Sequence, residues 1–177
     1  MKVIAKLPER CLRGYRPEAA ATPGHLMKCI DGTCVDYAVV DHPESYHGDL
    51  RYLEHCPEVG KGRLKGTCLV FPDRPDSVSK LPALAKKLAL VAVRFYAYAP
   101  ERLPLFGKPE IRTMWKQAGE LDLSVQLYLE PQYAPELEPF IQKFTDVRVI
   151  IDHLGRPIRR CRKSTRCSST GIDLRSR

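Results

Sequence analysis

The stretch LVAVRFYAYAPERLPLFGKPEIRTMWKQAGELDLSVQLYL, residues 90–129, contains the pattern that decides the fold. It begins and ends with short apolar runs, LVAVRFY (90–96) and LSVQLYL (123–129), which are typical of buried strands. Between them, apolar residues have the helical spacing i, i+3, i+4 and i+7: Ile111, Met114, Trp115 and Ala118. The order strand, helix, strand predicts two parallel strands joined by a right-handed crossover.

The same alternation continues on both sides of this stretch. Further apolar runs predict three more strands: VDYAVVD (35–41), GTCLVF (66–71) and VRVIID (147–152). Two further sets of apolar residues predict helices: Leu81, Leu84, Ala85 and Leu88, and Leu137, Phe140, Ile141 and Phe144. Shorter helices are predicted over residues 23–32 and from Tyr46 to Glu58, with Pro57 ending the second. The strands, including 35–41, are expected to be buried.

Repeated strand–helix units predict an α/β fold with a parallel sheet, either open and doubly wound or part of a (β/α)8 barrel. No G-x-G-x-x-G follows the first strand and no G-x-x-x-x-G-K-[ST] occurs, so no motif indicates nucleotide binding. A barrel has eight strands and about 250 residues. This chain of 177 residues is therefore predicted to form a partial (β/α)8 TIM barrel of about five to six βα units, followed by an irregular basic C-terminal tail.

The formal net charge of +8 is concentrated in that tail. Residues 157–177 contain seven basic residues and one acidic residue, so the rest of the chain is nearly neutral. We divide the chain into an irregular N-terminal segment (1–21), the partial barrel (22–157) and a basic tail (158–177) that is expected to be disordered. The tail has no aromatic residue to stack on bases, which argues against nucleic-acid binding.

Composition argues against several other classes of protein. No apolar run approaches the roughly 18–20 residues of a membrane span, and the N-terminus lacks the apolar core of a signal peptide. The seven cysteines are irregularly spaced and form no C-x-x-C, so neither a zinc ribbon nor a thioredoxin motif is indicated. We expect reduced, mostly buried thiols in a cytoplasmic protein without membrane contact.

The carboxyl ends of the strands are the first place to look for functional side chains in a parallel α/β fold. Alternation along the strands places Arg94, Gln126 and Tyr128 inside the barrel, near its mouth. The planar guanidinium of Arg94 suits a substrate carboxylate. The alternative is an internal ion pair between Arg94 and either Glu130 or Asp152.

The hexapeptide DHLGRP (152–157) follows the last predicted strand. His153 lies where a barrel displays catalytic side chains, and an imidazole can bind a metal when neutral or polarise a carbonyl when protonated. Arg156 lies three residues further on and can bind the same anion. His42, at the end of the first strand, is a further candidate to line the pocket. These residues predict a site for a small anionic substrate.

The segment VRVIIDHLGRP, preceded by VAVRFYAYAPERL and SVQLYLE, resembles the amidohydrolase-related family of metal-dependent hydrolases and lactonases over residues 22–157. The resemblance implies a distorted (β/α)8 barrel that hydrolyses a C–O, C–N or C–C bond of a small, often acidic substrate. It implies that His153 matches a histidine that binds metal, such as zinc or manganese, in some members and the substrate carbonyl in others. Arg94 and Arg156 would match substrate-carboxylate arginines, and Tyr128 falls near a pocket position.

The sequence departs from this family in two places. It contains no H-x-H pair, which family members carry on their first strand, and after Pro157 it shows no strand or helix pattern where the family continues to a catalytic aspartate. We therefore expect a truncated chain with an unrelated tail. Three functions are compatible with these residues: an active hydrolase, an inactive fragment of one, and a binder of nucleic acid or an acidic partner through the tail. An unclosed barrel also exposes sheet edges, which predicts self-association.

Overall fold

The computed structural model describes residues 21–46, 48–71, 74–97, 108–129 and 131–155. Helices and strands alternate through this part of the chain. The helices are α1 (Pro23–Gly32), α2 (Arg51–Gly60), α3 (Pro75–Lys87), α4 (Pro109–Glu120) and α5 (Ala134–Lys143), and the strands are β1 (Ala38–Asp41), β2 (Leu64–Leu69), β3 (Leu90–Ala97), β4 (Ser124–Leu129) and β5 (Val149–Ile151). None of the helices in these ranges has both the length and the apolar character that a membrane crossing requires.

The strands form one parallel sheet in the order β1-β2-β3-β4-β5. The sheet is strongly curled. A hydrogen bond shows this, since the side chain of Gln126 on β4 reaches that of Asp41 at the end of β1, with a donor–acceptor distance of 3.2 Å. In a flat sheet, three strand spacings would hold these two backbones about 14 Å apart. The described residues therefore form a curled half-barrel, and the predicted partial (β/α) TIM barrel is confirmed.

We call the side of the sheet that carries the helices the convex face, and the opposite side the concave face. Trp115 of α4 lies at the centre of the convex face, where it makes edge-to-face contacts with Phe95 of β3 at 5.9 Å and Phe140 of α5 at 4.6 Å between ring centroids. The predicted helical stripes face this core, and their buried members are Leu81, Leu88, Ile111, Met114, Trp115, Ala118, Leu137 and Phe140. Burial of these side chains holds the helices on the sheet.

The first and last strands are shorter and more exposed than the sequence predicts. The expectation of a buried strand over residues 35–41 is wrong, since β1 covers only Ala38–Asp41 and Val39 is 57% exposed. The predicted strand 147–152 likewise shrinks to Val149–Ile151. Both are edge strands in the described sheet, so their side chains on the concave face have neither a second neighbouring strand nor a helix to cover them.

The boundaries predicted for α2 are also wrong. The helix begins at Arg51 rather than Tyr46, which lies in a preceding 3-10 turn, and it continues through Pro57. A proline inside a helix removes one backbone hydrogen bond, but Leu53 is buried in the core and keeps the helix docked. The helix ends instead at Gly60, and the following residue Lys61, with a left-handed φ of 46°, turns the chain toward β2. By contrast, α1 has the predicted bounds.

Candidate active site

Polar side chains from four different strands or strand ends meet on the concave face: Asp41, Arg94, Gln126 and Asp152. We call this group the concave cluster. Arg94 of β3 is the register partner of Gln126 of β4, so the two side chains lie at the same level and on the same side of the sheet. Asp41 ends β1, and Asp152 follows β5 directly. The sequence predicts a site at the carboxyl ends of the strands, and Asp41 and Asp152 lie there. Arg94 and Gln126 join them from positions within β3 and β4.

Arg94 is the cation among the four residues of this cluster, and it is buried, with only 7% of its surface exposed. Its Nε and Nη2 atoms donate hydrogen bonds to Oδ2 of Asp152 at 2.9 and 2.5 Å, and its Nη1 lies 3.8 Å from Oδ2 of Asp41. The inward direction predicted for Arg94 is confirmed, and so is its ion pair with Asp152. Glu130, the other predicted partner, lies outside the described residues. A substrate-binding role for Arg94 stays a prediction.

Gln126 joins the two carboxylates of the cluster. Its amide nitrogen donates hydrogen bonds to Oδ1 of Asp152 at 2.8 Å and to Oδ2 of Asp41 at 3.2 Å. Both oxygens of Asp152 therefore accept hydrogen bonds, one from Gln126 and one from Arg94. Strand alternation predicts the inward direction of Gln126 but does not predict this link. The available signal was a polar residue in the middle of an otherwise apolar strand.

Counted over its four described residues alone, the formal charges of the cluster do not balance. Two carboxylates face one guanidinium, and the side chains of Arg94 and Asp152 are 9% and 10% exposed, whereas that of Asp41 is 46% exposed. A buried ion pair is tolerated only when its remaining donors and acceptors are satisfied, which Gln126 and Arg94 do for Asp152. Asp41 is therefore the member of the cluster that presents a carboxylate toward solvent at the mouth of the half-barrel.

His153 and Tyr128 lie together beside this cluster. Their rings make an edge-to-face contact at 5.5 Å, with Tyr128 partly buried and His153 exposed. The backbone of His153 has a left-handed φ of 51°, followed by φ of 55° at Leu154 and 70° at Gly155. Consecutive left-handed residues are costly outside glycine and persist only where the surrounding structure holds them. Nothing in the sequence analysis above indicates this backbone strain at His153.

His42 is buried, with 3% of its surface exposed, in the loop that leads from β1 to α2. Its backbone N–H donates to the carbonyl of Thr67 at 2.9 Å, which extends the pairing of β1 with β2 by one residue. Its ring stacks on Tyr46 at 6.3 Å. The contacts of His42 thus place it in the wall of the half-barrel at the end of β1, and its pocket-lining role stays a prediction.

Two other groups of predicted residues have different outcomes. Arg156 and the tail 158–177 lie outside the described residues. Among the described cysteines, Cys56 and Cys68 are free and buried, and burial raises the pKa of each thiol to about 11. Cys29 and Cys34 are free and exposed. The two buried thiols stay protonated near neutral pH, so neither is suited to act as a nucleophile or a metal ligand.

A divalent metal requires several ligands that converge on one point. Among the described residues, no group of three His, Cys, Asp or Glu side chains could hold a metal ion. In the concave cluster, Asp41 and Asp152 face the guanidinium of Arg94, a cation that has no lone pair to offer a metal and occupies the carboxylates that would bind one. Gln126 turns the NH2 group of its amide toward the same carboxylates. The described residues therefore do not fit a metal centre, and the predicted metal role of His153 finds no partner ligands among them.

Comparison with known proteins agrees with the geometry. The profile of the family described as Amidohydrolase matches residues 8–173. None of the curated proteins matches the chain. Solved structures share its fold, among them three of which this chain spans about half the length.

The first is a probable 2-pyrone-4,6-dicarboxylic acid hydrolase from Acinetobacter baumannii with citric acid bound, with a TM-score of 0.69 and 23% identity over 82% of this chain and 53% of that one. The second is the apo form of IDCase from Metarhizium anisopliae, with a TM-score of 0.57 and 14% identity over 79% and 49%. The third is 2,6-dihydroxybenzoate decarboxylase from Rhizobium, with a TM-score of 0.51 and 12% identity over 73% and 55%.

The structural matches and the family profile carry different weight. At these identities the solved structures establish a common fold, the parallel sheet with helices on its convex face. The family profile covers nearly the whole chain, including the concave cluster and the turn at His153. Members of this family commonly use a divalent metal, although the described residues do not provide its site. On this evidence, the chain belongs to the amidohydrolase family.

Proposed function

We propose that this chain acts in an amidohydrolase-type enzyme that cleaves a C–O, C–N or C–C bond of a small carboxylate-bearing substrate, with a lactone as the favoured case. The observation that carries the proposal is the buried guanidinium of Arg94, which lies within the central strand β3 and on the concave face. A guanidinium is buried only with an anionic partner, and its planar fork fits a carboxylate. The names of two structures with this fold, a dicarboxylic acid hydrolase and a dihydroxybenzoate decarboxylase, also describe carboxylates.

A substrate carboxylate would reach Arg94 in competition with Asp152. Asp152 does not depend on Arg94 alone, because Gln126 also holds it at 2.8 Å. When a substrate carboxylate displaces Asp152 from the guanidinium of Arg94, Asp152 keeps its hydrogen bond to Gln126. The free-energy cost of the displacement is therefore lower. Asp41, which is partly exposed beside Arg94, is placed to accept a hydrogen bond from a substrate hydroxyl or from water.

His153 and Tyr128 are assigned to the reacting end of the substrate. The imidazole of His153, just beyond the end of β5, can polarise a carbonyl group of the substrate. Its edge-to-face contact with Tyr128 limits the rotation of the ring. Arg156 would bind a second carboxylate of the substrate. His42 would contribute to the wall of the pocket from the β1 side.

A reducing, cytoplasmic location is part of the proposal. The described cysteines are free thiols, and two of them are exposed. Exposed free thiols persist in reducing compartments and become oxidised outside them. Dependence on zinc or manganese is left to the assay below, since the described residues assign no ligand set to either ion.

Citrate is a suitable first probe, since a structure with this fold contains it. Isothermal titration should detect citrate binding to the full chain. The variant Arg94→Lys keeps the charge but loses the planar fork, so binding should weaken about tenfold. Asp152→Asn removes the competing carboxylate, so binding should tighten. Arg148→Lys is the matched control, because this exposed arginine pairs with Asp122 at the opposite end of the sheet.

Activity is tested separately, with lactones of dicarboxylic acids and with dihydroxybenzoate, in the presence and absence of zinc and manganese. His153→Gln should lower kcat by about 10²–10³ where turnover is found. Folded protein that neither binds citrate nor turns over any of these compounds would contradict the proposal. Citrate binding that Arg94→Lys leaves unchanged would remove Arg94 from the site.

A further inference from the structure

The large apolar side chains that remain exposed in the described part of the chain are not scattered. They lie at the two edges of the sheet: Val35, Tyr37 and Val39 at the β1 edge, and Ile150, Ile151 and Leu154 at the β5 edge. Val40, which follows Val39, and Val149, which precedes Ile150, point to the convex face and pack against the core. Exposed apolar residues that cluster in this way mark an interaction surface more often than chance exposure.

Two of these residues face the concave side. Val39 alternates with Asp41 on β1, and Asp41 contacts Gln126 on the concave face. Ile150 is the register partner of Gln126, so it also lies on that face. Val39 and Ile150 therefore flank the concave cluster from opposite edges, at 57% and 46% exposure. In a closed barrel, residues at such positions would be interior.

The direction of the edge strands determines what kind of partner can cover both of them. All described strands are parallel, so β1 and β5 run the same way at the two ends of the curled sheet. A two-fold axis along the axis of curl would place β5 of each copy beside β1 of the other, in parallel and at both seams at once. Such an arrangement is closed, which is the usual outcome for homo-oligomers.

A second copy suits both edges of the sheet. It offers strands that run in the required direction and an apolar edge that complements the first.

We propose that two copies of this chain associate around a two-fold axis, with β1 of each copy parallel to β5 of the other, and that the concave cluster becomes an interior site between them. Val39 of one copy then packs near Ile150 of the other. The mouth of the half-barrel is completed by the partner's strands. This inference does not depend on the proposed reaction, because it concerns only the edges of the sheet.

Sedimentation velocity of the full chain, over a wide range of concentration, tests the association directly. The wild-type chain should form a dimer. Val39→Asp and Ile150→Lys should each weaken dimerisation by about tenfold or more, because each buries a charge at both seams. Ala83→Lys, at an exposed position on α3, is the matched control and should leave the dimer unchanged. Circular dichroism verifies that each variant is folded.

The double variant Val39→Asp with Ile150→Lys distinguishes the proposed seam from other dimers. If β1 packs beside β5 of the partner, each seam gains one opposite-charge pair and dimerisation recovers relative to either single variant. If β1 packs beside β1, like charges meet and no recovery occurs, which overturns the proposed arrangement. A folded wild-type chain that remains monomeric at all concentrations overturns the association itself.

Hydrogen exchange on the wild-type chain supplies a second readout that needs no variant. The amides of β1 and β5 should become more protected as the concentration of the chain rises, while those of the central strand β3 should not change. Protection of both edges in a monomer, independent of concentration, would assign their cover to residues of the same chain and overturn the proposal.

Discussion

The two faces of the sheet are made by alternate residues of the same strands, yet they do different things. On β3 and β4, Phe95 and Leu127 point to the convex face and are almost completely buried against helices. Their neighbours Arg94 and Gln126 point to the concave face and donate hydrogen bonds to the carboxylate of Asp152. One face is held by apolar burial, which needs no particular partner. The other is held by hydrogen bonds, each of which needs a specific atom in a specific place.

The two faces therefore have different roles. Apolar burial on the convex face contributes stability, and the polar side chains of the concave face form the candidate active site. The apolar contacts of the convex face tolerate exchange of one hydrophobic residue for another of similar size. The concave cluster tolerates little, because removing one member leaves another charged or polar group without its partner. Substitutions on the two faces therefore test different physical terms, and their effects on the free energy of unfolding should differ in predictable ways.

The largest effect is expected on the convex face. Trp115→Ala should lower the free energy of unfolding by about 4 kcal/mol, because the indole contacts the rings of both Phe95 and Phe140. Urea denaturation followed by circular dichroism measures the change. Lys116→Ala, on the exposed side of the same helix, is the control and should change stability by less than about 0.5 kcal/mol. Equal effects at the two positions would contradict the assignment of Trp115 to the centre of the core.

A smaller but more diagnostic effect is expected on the concave face. Arg94→Met should cost about 3 kcal/mol, because it leaves Asp152 buried beside an apolar side chain. Adding Asp152→Leu should recover most of this loss, since a buried ion pair can be replaced by apolar residues at little net cost. The same urea experiment measures both. A double variant no more stable than Arg94→Met would show that the ion pair is not the source of the loss.

The sequence predicts the convex face well and the concave face only in part. Helical spacing identifies Trp115 and its neighbours as core residues, since burial follows from periodicity alone. Strand alternation also turns Arg94 and Gln126 inward. It cannot show that Gln126 reaches Asp41, because that contact depends on the curl of the sheet across three strand spacings. Residues 85 positions apart in the chain meet only in the folded molecule.

Turn geometry is the other part that the sequence leaves open. Four turns that lead out of helices pass through left-handed residues that are not glycine: Cys34, Lys61, Ala89 and Asp122. The usual signal for such a backbone position is a glycine at that position, so the residue types at these four positions do not predict it. The strained backbone of His153 is missed for the same reason. These conformations are imposed by the packing of the helices and strands on either side.

Gln126 provides the next test of the concave face. Gln126→Leu should lower the free energy of unfolding by about 1–2 kcal/mol, because Asp152 loses a hydrogen bond in a buried site. Gln126→Glu places a third carboxylate in a cluster with one guanidinium and should cost more than Gln126→Leu at neutral pH. Thermal unfolding at neutral and acidic pH compares the two variants. If Gln126→Glu were the milder change at neutral pH, the excess negative charge assigned to the cluster would be wrong.

The smallest effect is expected at an ion pair outside both faces, between Asp49 and Arg51 at the start of α2. Hydrogen bonds from the guanidinium of Arg51 hold the pKa of Asp49 below its ordinary value of 3.8. A carboxyl group whose pKa is lowered by folding stabilises the protein above its unfolded pKa, and this contribution is lost as pH falls through the folded pKa. Asp49→Asn should therefore cost less than about 1 kcal/mol at neutral pH, because Arg51 is 56% exposed and screened by water.

The difference between wild type and Asp49→Asn should shrink toward zero as pH falls below 3.8, the ordinary pKa of this carboxyl. Asparagine can still accept the backbone N–H of Arg51, which donates to Oδ1 of Asp49 at 3.2 Å, so the variant removes the charge and keeps this hydrogen bond. Arg51→Ala removes the cation of the pair, so the difference in stability between wild type and this variant should also shrink as pH falls below 3.8. Thermal melting temperatures measured from acidic to neutral pH report the difference. Because both pairs join one arginine to one aspartate, a loss at Asp49 as large as that at Arg94 would show that burial is not what separates them.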